Sequence, residues 1–474
     1  MSSTDSLDKA RPERASEFSL DLERRGLREA AAEWWVKVRS GEPGALPSII
    51  GLIVLGAIFY FSVSSQFLSS YNLGTVPGQG AYIAVIALGL VFVLLLGEID
   101  LSAGTSGGAC ATIAAVAVNS GHLHHGLPDL FYWCLVIGMV AAIGVAVWLK
   151  VWLGAALALI GEVLILTNLT QHLVVAMIMA ICVGAAIGIL NGVLVAKVGI
   201  PSFVATLALF LAWGGVVKFG LKNQPIGVSG YNFWHDLTYG NLTPTISWIF
   251  TIVLVVAYLG WTTFRSIRLA RAGLAHEALD LVLVRGGLLT VVAIVVTVWA
   301  VRNRNPSAAS YLLIQGIPVP AAIAIVLMIV CTLALTKTTW GRHLYATGGN
   351  AEAAHRAGID VVKIKVSAFM LCSMFAALGG ILLASYQSSV ALDLGSGNVL
   401  LFSVAAAVIG GTSLFGGRGR PRDAILGALV ITVIPYGLSL KPSIDPAWQE
   451  VITGIVLLLA ASVDAISRRR APRL

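Results

Sequence analysis

Gly341-Arg-His-Leu-Tyr-Ala-Thr-Gly-Gly-Asn-Ala-Glu-Ala-Ala-His-Arg-Ala-Gly-Ile-Asp-Val-Val-Lys-Ile-Lys365 is a basic, water-compatible stretch set between two long apolar segments. Its centre has the punctuation of a short helix. Asn350 is a favoured N-cap, Glu352 stands in the first turn where the helix dipole favours an anion, and Gly358 supplies the stop. Ala353, Ala354 and Arg356 fill the interval between these signals. Taken alone, the stretch is either a solvated connection between two spans or a place where a partner docks. The rest of the chain decides.

The chain has 474 residues, of which 57% are hydrophobic and 11% charged, with a mean hydropathy of +0.88. A soluble domain carries about 25% charged residues. The composition therefore predicts an all-α, polytopic membrane helix bundle embedded in a lipid bilayer. The formal net charge is +8. The basic residues gather in the tails and alternate loops, which is the positive-inside pattern. No basic, aromatic-interleaved domain exists to bind nucleic acid. Cys110, Cys134, Cys182, Cys331 and Cys372 each lie inside an apolar run, far from one another, which argues against a disulfide framework or a metal site and for buried core positions. His122, His124 and His125 lack an acidic or Cys companion nearby and read as a plain loop, with no metal.

The apolar runs predict about fourteen transmembrane helices: 45–63, 75–97, 103–119, two within 130–166 divided at Lys150, 172–196, 201–219, 246–264, 287–301, 318–336, 366–386, 399–415, 423–440 and 448–466. A single broken segment at 130–166 would invert everything upstream. Residues 1–44 form a tail carrying a basic amphipathic helix over 18–38 that suits the membrane surface. Residues 45–467 form the transmembrane domain, and 468–474 a basic tail. Fourteen spans put both termini, the 341–365 loop, Arg265–Arg271 and Arg418–Arg422 together on the cytoplasmic side. Arg302 and Arg304 oppose this bias. Residues 220–245 read as a polar outside loop.

Two stretches echo each other. Gly97-Glu98-Ile99-Asp100-Leu101-Ser102-Ala103-Gly104 aligns with Gly410-Gly411-Thr412-Ser413-Leu414-Phe415-Gly416-Gly417. Each follows an Ala/Val-rich span ending inside and leads into another. The pattern implies an internal parallel repeat with broken helices, a common construction for a transport pathway. Glu98 and Asp100 fit a proton relay or a cation site, or, as the preferred reading, ligation of backbone N–H groups at the break. Elsewhere the spans are nearly free of charge, which argues against a proton-coupled pump and for a neutral solute moved by an outside energy source. The phosphate-loop pattern G-x-x-x-x-G-K-[ST] is absent, as are catalytic triads and H-E-x-x-H. Neither an ATPase site nor a catalytic residue nor a cofactor is expected. Asn72, Gln79, Tyr82, Asn398 and Ser403 are polar candidates for the pathway, or else helix–helix glue.

Five stretches together carry a family resemblance: Gly341–Ile359, Val408–Gly419, Gly97–Gly104, Ile200-Pro-Ser-Phe-Val204 and Gly316-Ile-Pro-Val-Pro320. They resemble the permease subunits of bacterial ATP-binding-cassette (ABC) importers for monosaccharides, the ribose, arabinose and xylose group. Glu98, where the group more usually has Gly, and the basic Arg265–Arg285 stretch with an added span are similar to the xylose-type branch. The apolar length at 130–166 lies outside that family's usual core. Glu352-Ala353-Ala354, three residues and Gly358 are partly similar to the coupling loop of other importer permeases.

The resemblance implies a division of labour in the bacterial inner membrane. Two copies, a homodimer, or one copy and a sister line the pathway. A separate cytoplasmic ATPase docks on Asn350–Gly358, with Ala353 and Ala354 entering a groove and Glu352 and Arg356 at its rim. An extracytoplasmic sugar-binding protein delivers xylose or a related pentose. The alternatives are a self-contained secondary transporter or channel for a small neutral solute, and a membrane enzyme or scaffold.

Overall fold

The computed structural model describes residues 46–62, 65–167, 169–272, 279–306 and 313–441, with parts of 443–458. The tail helix expected over 18–38 and the basic residues 468–474 lie outside the described residues. The described chain is an all-α bundle with almost no strand. Its helices are α1 (Leu46–Ser62), α2 (Ser70–Leu95), α3 (Ala103–Ser120), α4 (Asp129–Trp148), α5 (Trp152–Thr167), α6 (Leu173–Ala196), α7 (Ser202–Gly220), the short α8 (Asn232–Tyr239), α9 (Pro244–Arg271), α10 (Leu279–Val301), α11 (Val319–Lys337), α12 (Thr339–Gly349), α13 (Ala351–Arg356), α14 (Val361–Gln387), α15 (Asn398–Gly410) and α16 (Pro421–Ser439).

Nine of the described helices are long and apolar enough to cross a membrane, and α5, α15 and part of α1 are shorter apolar helices. Each span predicted between 45 and 440 has a helix at its place, although α3, at the predicted 103–119, is not among the helices apolar enough to count as a candidate span. The described positions of the last one, between 447 and 458, are also helical. The division at Lys150 is real. Lys150 takes φ 55° between α4 and α5, so two helices meet there at a left-handed turn. The basic Arg265–Arg271 segment is not a loop, because α9 continues through it.

The described residues fall into two compact units, one made of 248–298 and the other of 46–247 with 299–458. In the first, Thr251 Oγ1 and Thr297 Oγ1 lie 2.7 Å apart and link α9 to α10. In the second, α14 is the central helix. Gly184, Gly188 and Gly192 repeat every four residues along α6, so they stack on one face. A Cβ on Gly184 would lie 2.7 Å from Ser373 O, and one on Gly192 2.6 Å from Val366 Cα. Small residues let the two backbones touch, the main source of attraction where lipid is as apolar as the side chains. Outside this core, Leu130, Trp133, Ile137 and Val140 on α4 are exposed. An apolar face of that extent is bilayer contact. Four of the five cysteines are buried as expected, but Cys134 sits on this α4 face and is exposed.

The expected polar loop at 220–245 proves to be ordered. Ile226–Gly227 pairs antiparallel with Ser389–Val390. Trp234 of α8 is fully buried and its Nε1 donates to Ile381 O at 2.9 Å. Arg304, which opposed the positive-inside bias, is 4% exposed. It donates from Nη2 to Asn241 Oδ1 at 2.7 Å and Gly316 O at 2.9 Å. This arginine serves packing, so it carries no weight in the topology count.

Candidate functional site

The opening stretch folds as two short helices with separate caps. Thr338 Oγ1 accepts from Gly341 N at 3.0 Å and starts α12. Gly341, Leu344 and Thr347 bury one face of it. Asn350 then leaves helical geometry at φ −159°, and its Oδ1 accepts from Ala353 N at 2.9 Å. A six-residue helix, α13, follows. It ends in the double hydrogen bond of a Schellman motif: Ile359 N donates to Ala354 O and Gly358 N to His355 O, both at 3.0 Å. That closure requires the left-handed φ of 84° at Gly358, which costs a non-glycine residue roughly 1–2 kcal/mol. Asp360 caps the next helix, α14, through Lys363 N at 3.0 Å.

The side chains of α13 divide between two roles. Glu352 and Arg356 form an i,i+4 ion pair with both side chains about three-quarters exposed. Such a pair adds only a few tenths of a kcal/mol. Ala353 is also exposed, whereas Ala354 is buried within the chain. Of the two alanines expected to enter a partner's groove, only Ala353 is open to one, and Ala354 holds the helix down. The correction has a simple cause, since six residues are too few for a hydrophobic period to reveal the inward face.

Directly before α13, Gly348 and Gly349 meet both glycine-rich breaks. A Cβ on Gly348 would overlap the carbonyl oxygen of Leu95 and lie 3.0 Å from Gly417 N. Gly417 N donates to Leu95 O at 2.8 Å. A Cβ on Gly416 would be 2.7 Å from Gly348 O and 2.9 Å from Gly97 N. Three separate segments, 95–97, 348–349 and 416–417, thus converge backbone on backbone. Nearby, Tyr345 Oη donates to Gly419 O at 2.7 Å, and burial pushes this phenol's pKa up, keeping it a neutral donor. Lys365 Nζ lies 2.5 Å from Glu98 Oε1, both side chains about one-fifth exposed.

The first break is held by α7. Ile99 N donates to Ser202 Oγ at 3.3 Å and Leu101 N to Thr206 Oγ1 at 3.0 Å. Asp100, fully buried, accepts at Oδ1 from Ser102 N at 2.9 Å and Ser102 Oγ at 2.6 Å. Asn191 Nδ2 reaches the same Ser102 Oγ at 3.0 Å. Asp100 therefore ligates a backbone N–H of the break, while Glu98 turns instead to Lys365. Gly104 packs against Gly395 across the start of α3. In the second break, Gly410 abuts Asp423 and Gly411 ends α15. Thr412 and Ser413 are buried, and Ser413 N donates to Arg418 O at 2.8 Å.

The polar residues singled out as pathway candidates are not drawn into one site. Asn72 accepts from Tyr436 Oη at 2.7 Å and donates to Gln66 O at 2.8 Å. Ser403, fully buried, donates to Val399 O on its own helix. Gln79 and Tyr82 are half-buried on α2, and Tyr82 stacks on Tyr386 with ring centroids 5.7 Å apart. Asn398 is exposed and reaches Glu450 at 3.3 Å. The Glu98–Lys365 pair was invisible in the sequence, as 267 positions separate its members.

That pair predicts a charge-reversal result. Glu98→Lys or Lys365→Glu places like charges together in a largely buried position, at a cost on the order of 1–3 kcal/mol. Uptake is expected to fall at least about tenfold for either single variant and to recover to within about threefold in the double reversal. Single reversals that transport normally would show that the pair carries no coupling.

No solved structure matches this chain. It is similar to the xylose transport system permease protein XylH of Escherichia coli K12, 28% identical over 423 residues, 89% of this chain and 92% of that one. XylH of Haemophilus influenzae is also 28% identical, covering 89% and 96%. The ribose import permease protein RbsC of Escherichia coli K12 is 27% identical, covering 88% and 92%. The family described as branched-chain amino acid transport system / permease component matches residues 151–461, and the chain belongs to that family of transport permeases.

Proposed function

We propose that the chain is the membrane-spanning permease subunit of an ABC importer for a monosaccharide, xylose or a related pentose. The carrying observation is the three-way backbone junction. A capped, solvent-facing helix, α13, leads directly from glycines packed on both breaks of the repeat. Xylose and ribose permeases being the similar proteins supports the same reading.

This geometry supports the following mechanism. The chain binds no nucleotide of its own. A separate cytoplasmic ATPase grips α13 through Glu352, Ala353 and Arg356. Gly358 and Asn350 keep the helix short and stiff, so a push on it moves Gly348 rather than bending the loop. Gly348 bears on Leu95 and Gly417 without intervening side chains, and the two breaks shift together. ATP-driven closure thereby biases a bundle with two packings. An extracytoplasmic sugar-binding protein presents the substrate at the far end, where α8 caps α14. A homodimer encloses the pathway in the bacterial inner membrane, with both termini in the cytoplasm.

Reconstitution tests the reading. Uptake into proteoliposomes is expected to require the ATPase, ATP and the binding protein together. Glu352→Arg, a change on an exposed side chain, is expected to release the ATPase in co-purification while leaving the amount of permease unchanged. Ion-gradient-driven uptake by the chain alone, indifferent to ATP, would overturn it.

A further inference from the structure

We propose that the turn between α4 and α5 is a binding site for an anionic phospholipid, which it holds by the phosphate through Lys150 and Lys197. Lys150 is the lone charged residue between 130 and 161, and Lys197 closes α6. No Asp or Glu occurs in 130–161 or in 173–199. Among the described residues neither lysine has an ion-pair partner, whereas Lys365 is held by Glu98. Lys197 Nζ lies 5.3 Å from the centre of the Trp148 ring. That stack brings the end of α6 to the α4–α5 turn, so both cations stand at one corner of the bundle.

Lys150 occupies its position at a conformational cost. Val151 N donates to Ala146 O at 2.8 Å and Lys150 N to Val147 O at 3.0 Å, the same closure that ends α13. In α13 the left-handed residue is Gly358; here it is Lys150, at φ 55°. Glycine takes that conformation freely and lysine does not. What lysine adds over glycine is an exposed cation. A strained residue whose charge meets no partner in its own chain points to a ligand.

The surroundings select a lipid. Trp148 and Trp152 flank Lys150 and are 62% and 64% exposed, with Val147 and Leu153 exposed beside them. Val147 and Trp148 extend, at helical spacing, the bilayer-facing stripe of Ile137 and Val140. The turn therefore stands where hydrocarbon gives way to headgroups, the level at which tryptophan gathers. Long lysine side chains reach a phosphate at that depth. Two cations without counter-ions favour a net-negative headgroup over a zwitterionic one, whose own cation offsets its phosphate. The turn is also tied to the bundle. Val151 lies in one apolar cluster with Ile189 of α6 and Val366 of α14, and Leu149 and Val362 pack against it. A lipid bound here braces the start of α14, the helix that follows α13.

Native mass spectrometry of the delipidated full chain in detergent tests this, with phosphatidylglycerol, phosphatidylcholine or inorganic phosphate as the probe. The unaltered permease is expected to bind phosphatidylglycerol at least about tenfold more tightly than phosphatidylcholine. Lys150→Gly and Lys197→Gln are each expected to weaken phosphatidylglycerol binding about fivefold, the double variant about 25-fold, and Lys150→Arg no more than about twofold. Lys150→Gly relieves the left-handed strain, so it is expected to unfold in phosphatidylcholine micelles at a temperature no lower than the unaltered chain. Its lost binding then reports the charge and not the fold. Equal affinity for the two lipids would overturn the proposal. A phosphatidylglycerol preference kept within about twofold in the double variant would do so too, by placing the preference elsewhere in the chain. Displacement of phosphatidylglycerol by equimolar inorganic phosphate would assign the lysines to a free anion and overturn the lipid.

Discussion

Gly348→Val is expected to abolish uptake while the permease remains in the membrane. The added Cβ would overlap Leu95 O, 2.8 Å from the carbonyl carbon, and crowd Gly417 N at 3.0 Å. All three atoms are backbone, so none can swing aside. Overpacking costs about 1–3 kcal/mol even where side chains yield, and here the cheaper response is for the end of α12 to lift off both breaks. Gly348 lies in ordinary helical conformation, so valine brings no severe backbone strain and the effect isolates the contact. Gly349→Ala is the control, because a Cβ there meets nothing within 4 Å. Uptake in cells, normalised to permease abundance, should fall at least about 100-fold for Gly348→Val and no more than about twofold for Gly349→Ala. A Gly348→Val permease that transports within about threefold of normal would disprove transmission through this junction.

Gly188→Leu is expected to remove the folded protein altogether. A Cβ on Gly188 would overlap Phe369 O and stand 2.5 Å from Met370 Cα. Leucine adds three further carbons at the middle of the α6–α14 seam. Separating these helices also opens the Gly184 and Gly192 contacts on either side. Gly144→Leu on α4 provides the comparison, since nothing lies within 4 Å of its Cβ position. Membrane abundance and thermal unfolding in detergent should show little or no folded Gly188→Leu, against a near-normal Gly144→Leu. A stable, abundant Gly188→Leu permease would refute the close seam.

These two glycines also mark the limit of what the sequence reveals. Gly188 and Gly144 both occupy apolar helices; the four-residue glycine spacing around Gly188 marks a close-packing face, but the neighbour that makes it intolerant lies far away in the chain. The spans themselves were legible because their signal is the length of an apolar run. Lys150 was legible because a lone cation interrupts such a run. The caps of α13 were readable for a related reason, as Asn350 and Gly358 act on groups within a few residues. Trp234 was misread as part of a loop because its partner, the Ile381 carbonyl, is 147 positions away. The same separation hid Lys365 from Glu98. The inward turn of Ala354 was not legible either, because α13 is shorter than two helical turns.

The two hydroxyls that hold the first break carry a consequence for biosynthesis. Ser202 and Thr206 enter the chain 103 and 105 residues after the amides they receive. At translation rates of about 5–20 residues per second, the amides of Ile99 and Leu101 await these partners for on the order of 5–20 s. An orphaned amide that is buried away from water is costly, so the nascent break must stay hydrated or shielded during that interval. Its final shape is therefore set late in insertion, when α7 arrives.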